Sequence, residues 1–115
     1  MANVLVVEDD SGMRGWLAEI LGIAGHRVFT AADGLEARSL VNRQALDLVI
    51  TDISMPNEEG LGMIRALRKN YPALKIIALS GKDPGFLLDA KLLGAHAALM
   101  KPVTAKIVLK CISDL

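Results

Sequence analysis

The sequence contains few aromatic residues, a single cysteine and no excess of charge of either sign. Tryptophan, tyrosine and phenylalanine together make up 3% of the 115 residues, so an aromatic platform for stacking nucleic-acid bases is not expected. Thirteen basic residues balance thirteen acidic ones, which argues against nucleic acid or anionic lipid as a partner of this chain itself. The lone Cys111 excludes an internal disulfide and fits a reducing compartment.

Long hydrophobic runs are also missing. The longest apolar stretch, residues 92–100, is interrupted by His96 and is far shorter than the roughly 20 residues that span a bilayer. The N-terminus lacks a basic segment and reaches acidic residues too early for a signal peptide. We therefore expect a cytoplasmic protein without membrane contact. Since 52% of the residues are hydrophobic, residues 1–115 are expected to form one domain with its own core.

Short apolar runs alternate with longer segments of helical spacing. Runs without apolar–polar alternation, as in parallel strands buried on both faces, cover residues 4–7, 28–31, 46–51, 75–79 and 97–100. Helical spacing covers residues 13–21, 35–42, 61–70, 84–93 and 104–115, with Gly25 and Gly94 placed to end two of these helices. The alternation predicts an α/β fold in which five helices cover both sides of one five-stranded, doubly wound parallel sheet.

Ionisable or hydroxyl side chains follow four of the five apolar runs. They are Glu8, Asp9, Asp52, Ser80 and Lys101. In such sheets ligands bind beyond the carboxyl ends of the strands, so these side chains are expected to share one crevice. Taken singly, the acids after the first run have an ordinary explanation, since acids at a helix start offset the helix dipole. Lys101 is harder to explain in this way, because a lysine that ends a buried strand normally has a partner.

This set of side chains suits the handling of a phosphoryl group. Three carboxylates held close together repel one another, so either one takes up a proton or a cation binds. Oxygen ligands favour Mg²⁺, which often bridges to a phosphate. A carboxylate beside that ion can attack phosphorus, while Lys101 and Ser80 can donate hydrogen bonds to the phosphoryl oxygens.

The order of these residues resembles the receiver domain of two-component response regulators. The resemblance covers essentially the whole chain and implies a flavodoxin-like fold with strand order 2-1-3-4-5. Each shared fragment is short, and the signal comes from their order and spacing. The fragments are Val6-Val7-Glu8-Asp9, Ala32-Asp33-Gly34, Thr51-Asp52, Met55-Pro56, Gly60-Leu61, Ser80-Gly81, Gly94-Ala95 and Lys101-Pro102.

The resemblance implies a magnesium site built around the phosphorylated residue. Asp52 corresponds to the phospho-acceptor, and Asp9 corresponds to a direct Mg²⁺ ligand. Glu8 would act through a metal-bound water, and Ser54 would offer its backbone carbonyl to the same ion. Mg²⁺ is therefore the expected cofactor.

The resemblance also assigns roles at the ends of the last two strands. Ser80 is similar to the switch hydroxyl, and Lys101 is similar to the lysine that grips the phosphoryl group. The peptide bond between Lys101 and Pro102 is expected to be cis, which an X–Pro bond adopts at little cost.

Partners follow from the same resemblance. A sensor histidine kinase or a histidine phosphotransfer protein would supply the phosphoryl group, approaching along the start of the first helix (Met13, Arg14 and Trp16) and near Val103. A downstream protein target or an output domain would read the phosphorylated state through the helices at 84–93 and 104–115. The chain would then be a phospho-accepting switch and not an enzyme.

Two departures from the family pattern affect how the switch would work. Ala98 stands three residues before Lys101, where the family usually carries tyrosine or phenylalanine, so the usual coupling between hydroxyl and aromatic ring is excluded. The signal is expected to leave through the loop after Ser80 and the helix at 84–93. In the family, the side chains two residues after the phospho-acceptor and two residues after the switch hydroxyl flank the water that attacks the phosphoryl group. Here these residues are Ser54 and Lys82, and neither has a carboxylate or carboxamide to orient that water. We therefore expect slow hydrolysis of the phosphoryl group.

Two alternative functions stay open at this point. One is a pseudo-receiver, an interaction module whose acids are structural, although the five central site residues are all present. The other is a Mg²⁺-dependent aspartyl-phosphate phosphohydrolase. Such enzymes carry a second acid two residues after the nucleophile, where this chain has Ser54.

Overall fold

Strands and helices alternate along the whole chain in a computed structural model that describes residues 1–54, 59–82 and 84–115. The strands are β1 (Asn3–Val7), β2 (Arg27–Ala31), β3 (Leu48–Asp52), β4 (Lys75–Ser80) and β5 (Ala97–Met100). The helices are α1 (Ser11–Ile23), α2 (Gly34–Arg43), α3 (Glu59–Asn70), α4 (Pro84–Leu93) and α5 (Ala105–Ser113). Each predicted element is present, with ends that differ from the prediction by at most two residues.

The five strands form one parallel sheet in the order β2-β1-β3-β4-β5, which confirms the predicted fold. At one edge, Val7 of β1 pairs with Ala31 of β2 and Thr51 of β3. Ser80 of β4 pairs with Met100 of β5 at the same edge. The carboxyl ends of all five strands therefore lie side by side, and strand order reverses between β1 and β3, where ligands of such folds bind.

The core consists of two apolar layers, one on each face of the sheet. Alternate residues of a strand face opposite sides, so neighbours such as Val4 and Leu5 belong to different layers. One layer packs α1 and α5 on the sheet through Leu17, Leu21 and Val108. The other packs α2, α3 and α4 on the sheet through Ala37, Val41, Met63, Ile64, Leu67 and Ala90. Burial of both faces holds the carboxyl edge of the sheet in a fixed position.

The prediction that all five strands are buried on both faces is wrong for β2 and β5. Arg27 and Thr30 of β2 are exposed, and Met100 of β5 is 37% exposed. These are the edge strands of the sheet, so each has a neighbour on one side only. The Arg27 guanidinium lies 5.2 Å from the centre of the Phe29 ring and covers part of the apolar surface of β2.

Local side-chain chemistry sets the ends of several helices. Asp10, Asp33 and Thr104 accept hydrogen bonds from backbone amides in the first turns of α1, α2 and α5, as N-cap residues do. Gly25 and Gly94 follow α1 and α4 with φ angles of 96° and 125°, which confirms their predicted place at helix ends. Within the described residues, none of the helices has the length and hydropathy needed to cross a membrane.

Candidate functional site

The predicted site residues meet at the carboxyl edge of the sheet. Glu8 and Asp9 directly follow β1, Asp52 and Ser80 end β3 and β4, and Lys101 directly follows β5. Glu8, Asp52 and Ser80 are buried with 1%, 4% and 0% exposure, whereas Asp9 is exposed. The crevice therefore has a buried polar floor and an acidic residue that faces solvent.

Three carboxylates form the acidic part of the crevice. One oxygen each from Glu8, Asp9 and Asp52 lies within 4.8 Å of the others. The three donors are all carboxylate oxygens, and a small set of oxygen ligands suits a hard cation that keeps part of its water shell. The cluster can hold a metal ion, and the residues fit the ion that the sequence analysis anticipated.

Lys101 connects two of these acids. Its Nζ lies 2.6 Å from Oε1 of Glu8 and 3.1 Å from Oδ2 of Asp52. Its backbone N–H donates to the carbonyl oxygen of Ser80 at 2.7 Å, which fixes the start of the side chain beside β4. The Lys101–Pro102 peptide bond is cis, as the resemblance implied. The ammonium group thus offsets part of the negative charge of the two buried carboxylates.

The environment of these three groups separates their proton affinities. Burial raises the pKa of Glu8, and repulsion by Asp52 raises it further. The hydrogen bond from Lys101 lowers this pKa, but the net result is a rise from 4.5 to about 7. Burial also raises the pKa of Asp52, but hydrogen bonds from Glu8, the Ser54 amide and Lys101 outweigh it and lower that pKa overall. Burial lowers the pKa of Lys101, but the two carboxylates outweigh it and raise that pKa. Of the two buried carboxylates, Glu8 therefore takes up a proton before Asp52 does.

Ser54 makes contacts that the sequence analysis did not anticipate. Its backbone N–H donates to Oδ1 of Asp52 at 2.8 Å. Its hydroxyl lies 3.2 Å from the hydroxyl of Ser80 and accepts from the N–H of Gly81 at 2.9 Å. The predictions for Ser54 concerned its carbonyl group as a metal ligand and the lack of an acid or amide in its side chain, since nothing in the sequence shows that this side chain reaches the end of β4.

Arg14 and Gly60 also shape the site. The Arg14 guanidinium donates to the carbonyl oxygen of Glu8 at 2.8 Å and so ties α1 to the segment that carries the acids. A Cβ atom on Gly60 would lie 2.5 Å from the Cα of Ile53 and 2.8 Å from the carbonyl oxygen of Asp52. Helix α3 therefore packs against the end of β3 at a distance that only glycine allows.

Of the sequence fragments noted above, Met55-Pro56 lies outside the described residues.

A cleft of about 490 Å³ opens beside Lys101, between α1 and the segment that follows β5. Two other cavities have Asn70 and Tyr71 in their linings: one of about 250 Å³ lies between α2 and α3, and one of about 640 Å³ lies beyond the C-terminal ends of these helices. The cleft contains two of the positions at which a kinase was expected to approach. Its lining residues are Asp10, Met13, Gly81, Lys101, Pro102 and Val103.

Comparison with known protein families shows which family this chain belongs to. The family model described as "Response regulator receiver domain" matches residues 4–113. The chain belongs to this family. Receiver domains are signalling modules of two-component systems, so the resemblance noted in the sequence is confirmed over nearly the full length of the chain.

Individual relatives of this receiver domain agree with that assignment. The probable transcriptional regulator ycf27 of Porphyridium aerugineum is 36% identical over 106 residues, which are 90% of this chain and 43% of that protein. The response regulator protein FleR of Pseudomonas aeruginosa is 36% identical over 116 residues, 97% of this chain and 24% of that protein. The chain thus spans less than half the length of either relative.

A solved structure of similar size has the same fold. The chemotaxis protein CheY4 of Vibrio cholerae superposes with a TM-score of 0.91 and 32% sequence identity, over 99% of this receiver domain and 98% of that chain. The five-stranded sheet and its flanking helices therefore form the arrangement found in CheY-like proteins.

Proposed function

We propose that this receiver domain, residues 1–115, accepts a phosphoryl group on Asp52 in a Mg²⁺-dependent reaction. The observation that carries the proposal is the state of the Asp52 carboxylate. It is 4% exposed and lies 3.1 Å from the Lys101 ammonium, and its surroundings lower its pKa. An ionised carboxylate beside a fixed cation is a competent nucleophile toward phosphorus.

Asp9 and Asp52 would hold Mg²⁺ directly, Glu8 would hold it through a bound water, and the backbone carbonyl of Ser54 would complete the protein ligands. The support is the placement of the three carboxylates within 4.8 Å of one another. When bound, Mg²⁺ neutralises negative charge on the phosphoryl oxygens. Glu8 must be ionised to contribute fully, which links metal binding to the pH range around 7.

The transfer moves one phosphoryl group between two residues. An oxygen of the Asp52 carboxylate forms a bond to phosphorus, and the bond between phosphorus and the donor histidine nitrogen breaks. The electron pair of that bond stays on the imidazole, which takes up a proton from solvent. Lys101 and the hydroxyl of Ser80 then donate hydrogen bonds to the phosphoryl oxygens. A positive charge and a hydroxyl donor therefore lie where negative charge develops on these oxygens during transfer.

The donor would be a sensor histidine kinase or a histidine phosphotransfer protein, and the cleft beside Lys101 is the expected route of its histidine. Met13 and Val103 line that cleft, so a partner helix can contact both while it presents the phosphorylated ring. The readout would be a downstream protein target or an output domain in the same polypeptide. We place the protein in the cytoplasm, where such donors act.

We do not propose a phosphohydrolase. Ser54 stands two residues after Asp52, and its hydroxyl bonds to Ser80 and Gly81, so it cannot protonate a leaving group as a carboxylic acid would. A pseudo-receiver is also disfavoured, because a structural ion pair would need Glu8 and Lys101 but not the exposed acid at position 9. The domain would act as a switch that catalyses its own phosphorylation and loses the group slowly.

The proposal is tested with acetyl phosphate and Mg²⁺, read by the intact mass of the protein. The wild-type chain is expected to gain one phosphate and Asp52→Asn to gain none. Addition of EDTA should abolish the gain. Asp47→Asn serves as the matched control, since Asp47 is an exposed acid whose carboxylate accepts from the amide of Asn3, and it should gain phosphate as the wild type does. Equal gain in Asp52→Asn would overturn the proposal.

A further inference from the structure

The hydroxyl of Ser54 links the ends of two strands. It accepts a hydrogen bond from the Gly81 N–H at 2.9 Å and lies 3.2 Å from the Ser80 hydroxyl. Ser80 is fully buried, and Ser54 is partly buried. The amide of the same Ser54 donates to Asp52 at 2.8 Å. One oxygen next to the acceptor carboxylate therefore engages two polar groups of β4 and of the loop that follows it.

We infer that the Ser54 hydroxyl stands in for a phosphoryl oxygen and holds the segment after β4 in its unphosphorylated position. This inference rests on the proposed function. A phosphoryl group on Asp52 would bring three oxygens to the end of β3, and each of them needs donors. The Ser80 hydroxyl and the Gly81 N–H are donors at the neighbouring strand end, and both are engaged by Ser54 in the unphosphorylated chain.

The Ser54 hydroxyl of the unphosphorylated chain and the phosphoryl oxygens on Asp52 therefore compete for the same two donors, the Ser80 hydroxyl and the Gly81 N–H. Among the described residues, the Ser80 hydroxyl has one further contact, with the Lys82 N–H at 3.4 Å, which is long for a hydrogen bond. Release from Ser54 would therefore leave the buried Ser80 hydroxyl with only this long contact among those residues unless a phosphoryl oxygen replaces Ser54. Because an unpaired buried hydroxyl is unfavourable, the segment is expected to stay with Ser54 until the phosphoryl group is present.

Ser54 is thus a positioning residue whose side chain opposes the phosphorylated state. Replacement of serine by alanine removes the hydroxyl but keeps the backbone amide and carbonyl. The unphosphorylated arrangement loses the two neutral hydrogen bonds that this hydroxyl makes, so the equilibrium should shift at least about fivefold toward the phosphoryl-bound state. Threonine retains the hydroxyl and provides the matched control.

The test compares wild type, Ser54→Ala and Ser54→Thr in two measurements. The first is the dissociation constant for beryllofluoride in the presence of Mg²⁺, since this anion mimics a phosphoryl group on a carboxylate. The second is NMR amide exchange of Gly81 in metal-free protein. We expect Ser54→Ala to bind beryllofluoride at least about five times more tightly and to exchange the Gly81 amide about five times faster. Ser54→Thr should restore both values to those of the wild type.

The outcomes separate this inference from the proposed function. Equal or weaker beryllofluoride binding by Ser54→Ala, with normal binding by the wild type, would overturn the inference alone. Unchanged Gly81 exchange in Ser54→Ala would also overturn it, and that measurement needs neither metal nor phosphate. Failure of the wild-type chain to bind beryllofluoride would overturn the proposed function and the competition with it.

Discussion

The ammonium group of Lys101 lies 2.6 Å from the carboxylate of Glu8, closer than the 3.1 Å to Asp52. The cation therefore pairs with two buried acids at once and offsets part of their negative charge. The pair Lys101–Glu8 joins positions that are 93 residues apart in the chain, so it depends on the complete fold of the sheet.

Lys101→Ala should lower the free energy of unfolding by about 3 kcal/mol at pH 8, because it leaves two buried carboxylates without their cation. At pH 5 the loss should be smaller, since Glu8, with its pKa near 7, is then protonated. Urea denaturation at both pH values measures this. Lys110→Ala is the control: its pair with Asp114, at 3.3 Å, is exposed, so the loss should stay below about 1 kcal/mol. Equal losses for Lys101→Ala at both pH values would contradict the account.

Glu8 should make metal binding depend on pH. Its pKa is raised from 4.5 to about 7, so in the metal-free protein its contribution to stability is complete below pH 4.5 and is lost as the pH rises through about 7. Mg²⁺ needs the ionised form, so its affinity should fall up to tenfold per pH unit below pH 7 and level off above it. Calorimetric titrations between pH 5.5 and 8.5 measure the trend. Glu8→Gln should flatten it, and a slope that persists in that variant would assign the proton elsewhere.

Gly60→Ala should disturb the acceptor residue from the side of α3. The added Cβ would lie 2.8 Å from the carbonyl oxygen of Asp52, so the helix must shift away from β3. We expect a loss of about 1–3 kcal/mol in the free energy of unfolding and slower phosphorylation. Gly62→Ala is the matched control, because a Cβ at this position of the same helix meets nothing within 4 Å, and it should be neutral or stabilising. Similar losses in both variants would show that the close approach is unimportant.

Arg68 should stabilise the fold without affecting phosphorylation. Its guanidinium donates to the carbonyl oxygen of Gly94 through two nitrogens, at 3.1 and 2.8 Å, and to that of Pro72 at 2.7 Å. Arg68→Ala should cost about 1.5–3 kcal/mol, while Arg65→Ala, at an exposed position of the same helix, should change stability by about 0.5 kcal/mol or less. Thermal denaturation measures the loss of stability, and acetyl phosphate uptake tests whether phosphorylation is unchanged. Reduced uptake in Arg68→Ala would show that α3 couples to the site.

Ala98 should direct the signal through the backbone after β4. It is a small, partly buried residue in the layer beneath α4, so it supplies no aromatic ring that could follow the movement of Ser80. A crystal structure with bound beryllofluoride should show displacement of the segment from Ser80 through α4. A structure in which that segment stays in place would contradict this route.

Much of the fold and of the site could be predicted from the sequence, since the apolar runs set the strands and four of the five strands have a polar residue at or directly after their carboxyl end. Glu8, Asp52 and Ser80 lie where the parallel sheet must bring them. The exposure of β2 and β5 was missed because burial on both faces was inferred from the apolar runs alone, although the implied strand order already places these two strands at the edges of the sheet. The reach of the Ser54 hydroxyl was missed because it depends on the spacing of β3 and β4.

The most direct test of the central claim is the position of the phosphoryl group. After incubation with acetyl phosphate and Mg²⁺, borohydride reduces an aspartyl phosphate to homoserine, which peptide mass spectrometry locates. We predict homoserine at position 52 alone, and none when EDTA is present. Homoserine at position 9, or its absence from a chain whose mass shows added phosphate, would contradict the account.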